Sequence, residues 1–437
     1  MATTERMNGV EARCGGVGAL ALALVAACSG GGTTSEGSAS AGSEVTGDST
    51  GDSTSDTTVD STSDTTTTGA TEGTDSGTAT AATESDSETT GPLPDPVTMQ
   101  FYDEVVFYDG YAGLVDEPVP EGVQRLRNSL VTRKIADAEL DALQRTLHLD
   151  VSIGALCDNY DRIASVNLAL TPKGADTYDP AAVTRLEIGR FITPFMNMNK
   201  DPDHVPYAFN IDHMIPILTS EALRGANDLW LELEVFGVPY AAQNEVPGCT
   251  GRIDVFTGSL SLTTDSSHPA QDHDVMIPIA AKEAYNNYAD GASDMIGTTT
   301  KTRPFTLDAD ADDVRLVLIT SNHGANAGGE EYIRRGHFVY IDMKLVHKYT
   351  PGRDSCEPFR MYNTQGNGIY GASPKSDAEW QSFSNWCPGD VIDVRIIELG
   401  PMSAGEHSFV IDVPLAEFKG GQGDFPFSLF IQAKTAG

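Results

Sequence analysis

Positive charge is scarce in this 437-residue chain: 28 Lys and Arg stand against 63 Asp and Glu, a formal net charge of −35. That balance leaves no electrostatic footprint for DNA or RNA, so nucleic acid is excluded as a partner. Helix-length apolar runs are also lacking. The stretch VGALALALVAA at 17–27 is too short to cross a bilayer as a helix. Metal-binding spacing is missing as well. The nine His contain no HxH or HExxH and the six Cys no CxxC, which argues against a zinc ribbon, a thioredoxin-like site or a catalytic metal. Asp308, Asp310, Asp312 and Asp313 lack the Gly and Glu of an EF-hand loop and read as a solvated turn. No metal and no cofactor is expected. Strands and helices do not alternate in a βαβ rhythm, which speaks against a parallel α/β fold.

What is present begins with a boundary. The apolar run follows Arg13 and ends in Leu24-Val25-Ala26-Ala27-Cys28. Small residues before a cysteine resemble the lipobox of bacterial lipoproteins, so residues 1–28 are expected to be a signal peptide and Cys28 the lipidated mature N-terminus. Between 29 and 92 half the residues are Ser or Thr; twelve are acidic, and none is basic or aromatic. Such a segment cannot bury enough surface to offset the entropy of ordering. Residues 29–96 are therefore expected to be a disordered tether. The expected location is the bacterial cell envelope, lipid-anchored, on the outer membrane or cell surface.

From residue 97 the pattern is short apolar alternation broken by Gly, Pro, Asn and Asp. Leu147, Leu149, Val151 and Ile153 alternate, as do Val166, Leu168 and Leu170, then Leu231, Leu233 and Val235. Phe409, Ile411, Val413 and Phe427, Leu429, Ile431 repeat the pattern. Period two predicts antiparallel sheets. One helix is expected in DAELDALQRTL, on Leu140, Leu143 and Leu147. The length suggests an all-β pair of sandwiches, 97–262 and 263–437, with the weakly patterned 263–274 as linker. Once Cys14 and Cys28 are set aside, four cysteines allow three pairings. Cys356 and Cys387 bracket one loop-rich stretch and are expected to pair, leaving Cys157 with Cys249.

Three segments carry candidate chemistry. CDNYDR (157–162) places Asp161 beside Arg162, which reads as an ion pair. Trp230, Glu232, Glu234 and Phe236 share the second face of a strand, which reads as a polar, solvent-facing side. A Gly-rich loop, HGANAGGEEY (323–332), delivers the paired acids Glu330 and Glu331 after a predicted strand.

Together with EIGRFITPF (187–195) and NWCPGD (385–390), these segments resemble the peptide-N-glycosidase F family, in the family's order. The resemblance implies two side-by-side eight-stranded jelly rolls with a site between them. It implies an amidase acting on the Asn–GlcNAc bond of N-glycosylated proteins. By motif position it makes Asp161, Glu331 and Glu234 the catalytic carboxylates, with Arg162, Tyr160, Phe236, Glu330 and Trp386 binding substrate. In this reading Asp161 is the general base, Arg162 holds it ionised, and Glu331 handles a bridging water and the leaving-group proton. Tyr160 and Phe236 stand where the family has tryptophans, and Phe383 where it has an arginine. A non-catalytic glycan- or peptide-binding lipoprotein on the same fold is the alternative, and the changed aromatics favour it. The copper monooxygenases that share the paired jelly roll have His-rich ligand motifs absent here.

Overall fold

The computed structural model describes residues 93–284, 298–324, 330–331, 333–382, 385–414, 416 and 425–437. The N-terminal apolar run, Cys28, the Ser/Thr-rich segment to residue 92 and Phe383 lie outside them.

Alternation in the sequence becomes antiparallel strands whose alternate side chains meet between sheets. In chain order the first nine are β1 (Val97–Tyr108), β2 (Val123–Arg127), β3 (Leu130–Lys134), β4 (Thr146–Ala155), β5 (Ile163–Pro172), β6 (Thr184–Ile192), β7 (His204–Asn210), β8 (Asn227–Val235) and β9 (Asp254–Asp265). The remaining nine are β10 (Val275–Ala284), β11 (Thr298–Leu307), β12 (Ala311–Thr320), β13 (His337–Ile341), β14 (Lys344–Tyr349), β15 (Val391–Ile392), β16 (Arg395–Met402), β17 (Gly405–Pro414) and β18 (Pro426–Thr435).

The first sandwich faces a sheet of order β1-β9-β4-β7 against one of order β15-β6-β5-β8-β3-β2. The second faces β10-β18-β12-β16 against β11-β17-β13-β14. The second thus has the eight strands expected of a jelly roll. The first is wider, because the β2–β3 hairpin adds to one edge and β15, from late in the chain, pairs with β6 at the other. β9 continues through Asp265, three residues into the segment read as linker.

The helix expected around Leu140 forms only one turn, Asp137–Asp141, in which Glu139 reaches back to the Ala136 N–H. Leu147 is instead the second residue of the ten-residue β4, where Leu147, Leu149, Val151 and Ile153 are all buried. Its ladders to β7 and β9 satisfy more backbone than a further helical turn.

Each sandwich has its own core, and the sandwiches share a seam. Val317 of β12 and Phe430 of β18 pack into the first core rather than the second. Beside them Arg190 of β6 is fully buried. It donates to both oxygens of Glu187 at 2.8 and 2.6 Å, and to Ser321 Oγ and the Pro426 carbonyl, each at 2.8 Å. Ser321 follows β12 and leads into the loop carrying Glu331, so Arg190 ties that loop to the first sandwich. Both predicted disulfides form: Cys157–Cys249 and Cys356–Cys387, each with Cα atoms 5.4 Å apart.

Candidate functional site

The turn entering β5 is held before any substrate arrives. Cys157 is tied to Cys249, and its N–H donates to the Asp254 carbonyl at 3.1 Å. Asp158, fully buried, accepts from the N–H groups of Val238 (2.7 Å) and Tyr160 (3.0 Å). Asn159 donates to Glu245 at 2.7 Å, the Arg162 N–H donates to Thr193 Oγ1 at 2.8 Å, and the Thr193 N–H donates back to the Arg162 carbonyl at 2.8 Å.

Here the expected Asp161–Arg162 ion pair is corrected. Arg162 lies against Asp158 four residues back, with Nε–Oδ2 at 2.6 Å and a second bond at 3.2 Å. Arg162 thus spends its Nε and Nη2 on Asp158, and among the described residues it makes no hydrogen bond to Asp161. Asp161 is left partly buried, and its Oδ2 is sealed off with no hydrogen-bond partner among the described residues. Burial drives its pKa up, against the pull of Arg162, and the Asp158 charge adds to the rise. Arg162 therefore limits the rise without holding Asp161 in the ordinary carboxylate range.

Glu331 arrives from the other sandwich. Its carboxylate accepts the Gly324 N–H at 3.1 Å, and its own N–H donates to the Gly324 carbonyl at 3.3 Å. Burial raises its pKa, and the charge of Asp161 raises it further. The two carboxyls are thus close enough to titrate as a pair. Two such carboxyls, with the nearby Arg162 forked onto Asp158, hold one proton into the neutral range.

Glu234 sits elsewhere on the same sheet. It lies opposite Ser165, four residues along from Asp161, roughly 13 Å of extended chain. Burial alone would raise its pKa, but Lys282, Arg185 and Arg127 outweigh it and bring it to about 2. Arg185 lies at 3.0 Å and Arg127 at 3.1 Å, while Lys282 reaches across from β10 and also donates to Ser165 at 3.0 Å. The face that carries it is not solvent-facing as its polarity suggested. Trp230 and Glu232 are buried, and Glu232 is bonded by Tyr178 and Arg185.

Two expected substrate contacts are turned away. Glu330 is fully buried, with both oxygens on Arg335 at 2.9 and 3.0 Å. Trp386 is 3% exposed and packs with Ile192, Ile319 and Ile392. Its indole N–H donates to the Asn322 carbonyl at 2.8 Å, and its ring stacks on His323. It packs into the seam between the sandwiches and is covered from solvent. Tyr160 does face solvent, at 43% exposed, with Arg162 over its ring and Phe195 beside it. Phe236 lies partly buried over Gly110.

The arrangement thus brings Asp161, Arg162 and Glu331 together with Tyr160 at the surface. Sequence reasoning missed Asp158 as the arginine's partner, although the four-residue spacing hinted at it. It also missed Arg190 and Lys282, whose bonds to Ser321 and Pro426 and to Ser165 span more than a hundred residues of chain.

Comparison with known proteins places this geometry in context. The profile described as "Peptide-N-glycosidase F, N terminal" matches residues 98–251, and "Peptide-N-glycosidase F, C terminal" matches 287–431. Among solved structures, PNGF-II in its P21 form superposes with a TM-score of 0.57 at 18% identity, covering 78% of this chain. This chain spans 66% of that one's length. Recombinant peptide:N-glycanase F gives 0.51 at 17% identity, covering 78% of this chain and 96% of that one. PNGase F from Flavobacterium meningosepticum gives 0.50 at 14%, with the same coverage. No curated protein matches the sequence.

Proposed function

The chain belongs to the peptide-N-glycosidase F family, and from that premise we propose that it hydrolyses the amide bond between asparagine and the first N-acetylglucosamine of N-glycoproteins. One feature carries the reading: Asp161 and Glu331 come from different sandwiches, and burial pushes the pKa of each up from the ordinary carboxylate range to about 7 and about 8. Amide hydrolysis near neutral pH needs a base for water and an acid for a poor nitrogen leaving group. A pair sharing one proton supplies both.

Asp161, with an unpartnered oxygen, takes the proton of the attacking water. Glu331, held protonated by burial and by the Asp161 charge, gives its proton to the departing nitrogen. Arg162 stays oriented by Asp158 and adds positive potential where the carbonyl oxygen gains charge. Products are an aspartate-containing peptide and a glycosylamine. Glu234, already ionised and cation-held, serves as a hydrogen-bond acceptor for sugar hydroxyls.

The decisive experiment is incubation with a denatured N-glycoprotein and mass spectrometry for the conversion of Asn to Asp. Glycan binding without that conversion would assign the fold to recognition instead. The proposed setting is the bacterial envelope, with Cys28 lipidated and residues 29–96 as tether. A mature N-terminus found at any residue other than Cys28 would overturn the anchor.

A further inference from the structure

Resting on that reading, we propose that Tyr111 and Tyr240 extend Phe236 into a stacking platform for the N-glycan core sugars beyond the first N-acetylglucosamine. Neither tyrosine lies in a motif that marked the site. Both are exposed, Tyr111 at 64% and Tyr240 at 48%. Exposed rings of this size normally sit singly; these two meet each other and Phe236. Tyr111 and Tyr240 are near-parallel, with centroids 6.4 Å apart and an interplanar angle of 14°. Tyr111 stands edge-on to Phe236 at 5.3 Å.

The platform is built rather than accidental. The Tyr111 N–H donates to Asp109 at 3.0 Å, and the Gly110 N–H donates to the Gly237 carbonyl at 2.9 Å, locking the two loops together. The buried Asn128 amide donates to the carbonyls of Asp109, Ala112 and Gly113 at 2.9, 3.3 and 3.1 Å. A Cβ on Gly110 would lie 2.4 Å from the Phe236 ring, so only glycine lets that ring rest on the backbone. Tyr111 is therefore displayed on a rigid turn, with little entropy to lose on binding.

Continuity with the chemistry is also present. Val238, two residues past Phe236, donates its N–H at 2.7 Å to the Asp158 carboxylate that holds Arg162, and Arg162 in turn covers Tyr160. The surface runs from the carboxyl pair through Arg162 to Tyr111, Phe236 and Tyr240. Its chemistry selects a neutral, flat, hydroxylated occupant. Arg162 is committed to Asp158, and Asp109 is buried and accepts from its own turn, so neither of these charges is offered to a charged peptide. Aromatic faces with hydroxyls at their rims suit the apolar C–H faces and polar edges of pyranoses.

The test pairs binding with turnover. The variants are Tyr111→Ala with Tyr240→Ala, and Tyr111→Phe with Tyr240→Phe as the ring-preserving control. Free trimannosyl-chitobiose is titrated by NMR. Glycopeptides bearing the full core or a single N-acetylglucosamine are assayed for KM and kcat. The expected result is that the double alanine variant weakens binding of the free core and raises KM for the full-core substrate about tenfold. Its kcat, and its KM for the single-sugar substrate, stay within about twofold, and the phenylalanine variant retains most of the affinity. Unchanged affinity for the core overturns the platform, as does an equal loss on both substrates or a loss that follows peptide length. A wild type that binds no free core overturns it too. Wild-type binding of the core without any Asn-to-Asp conversion would instead remove the amidase reading and leave the platform standing, because the titration needs no turnover.

Discussion

Two carboxylate sites lie along the edge where the sandwiches meet, and they are electrostatic opposites. At one, the charge of Asp161 bears on Glu331 while the Arg162 guanidinium is spent on Asp158, and both pKa values rise. At the other, Glu234 is gripped by Lys282, Arg185 and Arg127 and falls to about 2. The same residue type, partly or fully buried, is made a proton carrier in one place and a fixed anion in the other. The difference lies in where the cations are committed. A proton-transfer site needs its cation close but occupied, whereas a structural or binding anion needs its cations directly bonded.

The largest way to break this comparison is to remove the proton carriers. Asp161→Asn and Glu331→Gln keep shape and hydrogen bonding but abolish the shared proton, and each should lower kcat by about two to four orders of magnitude. The double variant should be little worse than either single, because the pair acts as a unit. Rate measurements showing full activity in Asp161→Asn would end the mechanism.

Next in size is the seam that sets the two sites in place. Arg190→Met leaves Glu187 buried without its partner, and chemical denaturation should show a loss of about 3–5 kcal/mol. Replacing both, Glu187→Leu with Arg190→Met, should recover most of that stability. It removes the bond to Ser321, however, so turnover should stay depressed as the Glu331 loop loses its anchor. Smaller again is Glu234→Gln, which leaves three cations undercompensated and should cost about 1–2 kcal/mol. It should act more on KM than on kcat, opposite to the Asp161 variant. A kcat loss matching that of Asp161→Asn would erase the distinction between the two sites.

How much of this was legible follows from how local each signal is. Period-two alternation such as Leu231, Leu233 and Val235 is local, and it gave the sandwiches. An even number of cysteines gave both disulfides, because Cys356 and Cys387 bracket one loop-rich stretch and leave one further pair. The resemblance of short motifs pointed to Asp161 and Glu331. What stayed hidden was long-range. Trp386 and Glu330 sit in the right motifs but are buried by Ile192, Ile319 and Arg335, and nothing nearby in the chain announces that. Lys282 reaches Glu234 from another sheet, so a polar strand face that looked solvated is a salt-bridged one. The helix at Leu140 failed because Leu147 fits both a helical and a period-two pattern, and the longer ladder prevailed.

The smallest expected effect separates the two sites by sign. Asp161 and Glu331 have folded pKa values above those of the unfolded chain, so between the unfolded and folded values the fold binds more protons. Stability from these groups is fully present below the ordinary carboxylate range, and it is lost as pH rises through the raised values. Glu234, with its folded pKa lowered to about 2, behaves oppositely: its contribution is present above the ordinary range and lost as pH falls toward 2. Asp161→Asn should therefore raise the melting temperature at about pH 8 by roughly 2–4 °C, the equivalent of about 1 kcal/mol in a domain of this size, and change it little at about pH 4. Glu234→Gln should lower it at about pH 8, with the deficit shrinking as carboxylates protonate. Thermal melts of both variants across that range decide the matter. If Asp161→Asn melts lower than wild type at high pH, the carboxyl pair is not strained by its own charge, and the site loses the feature that makes it an acid and a base at once.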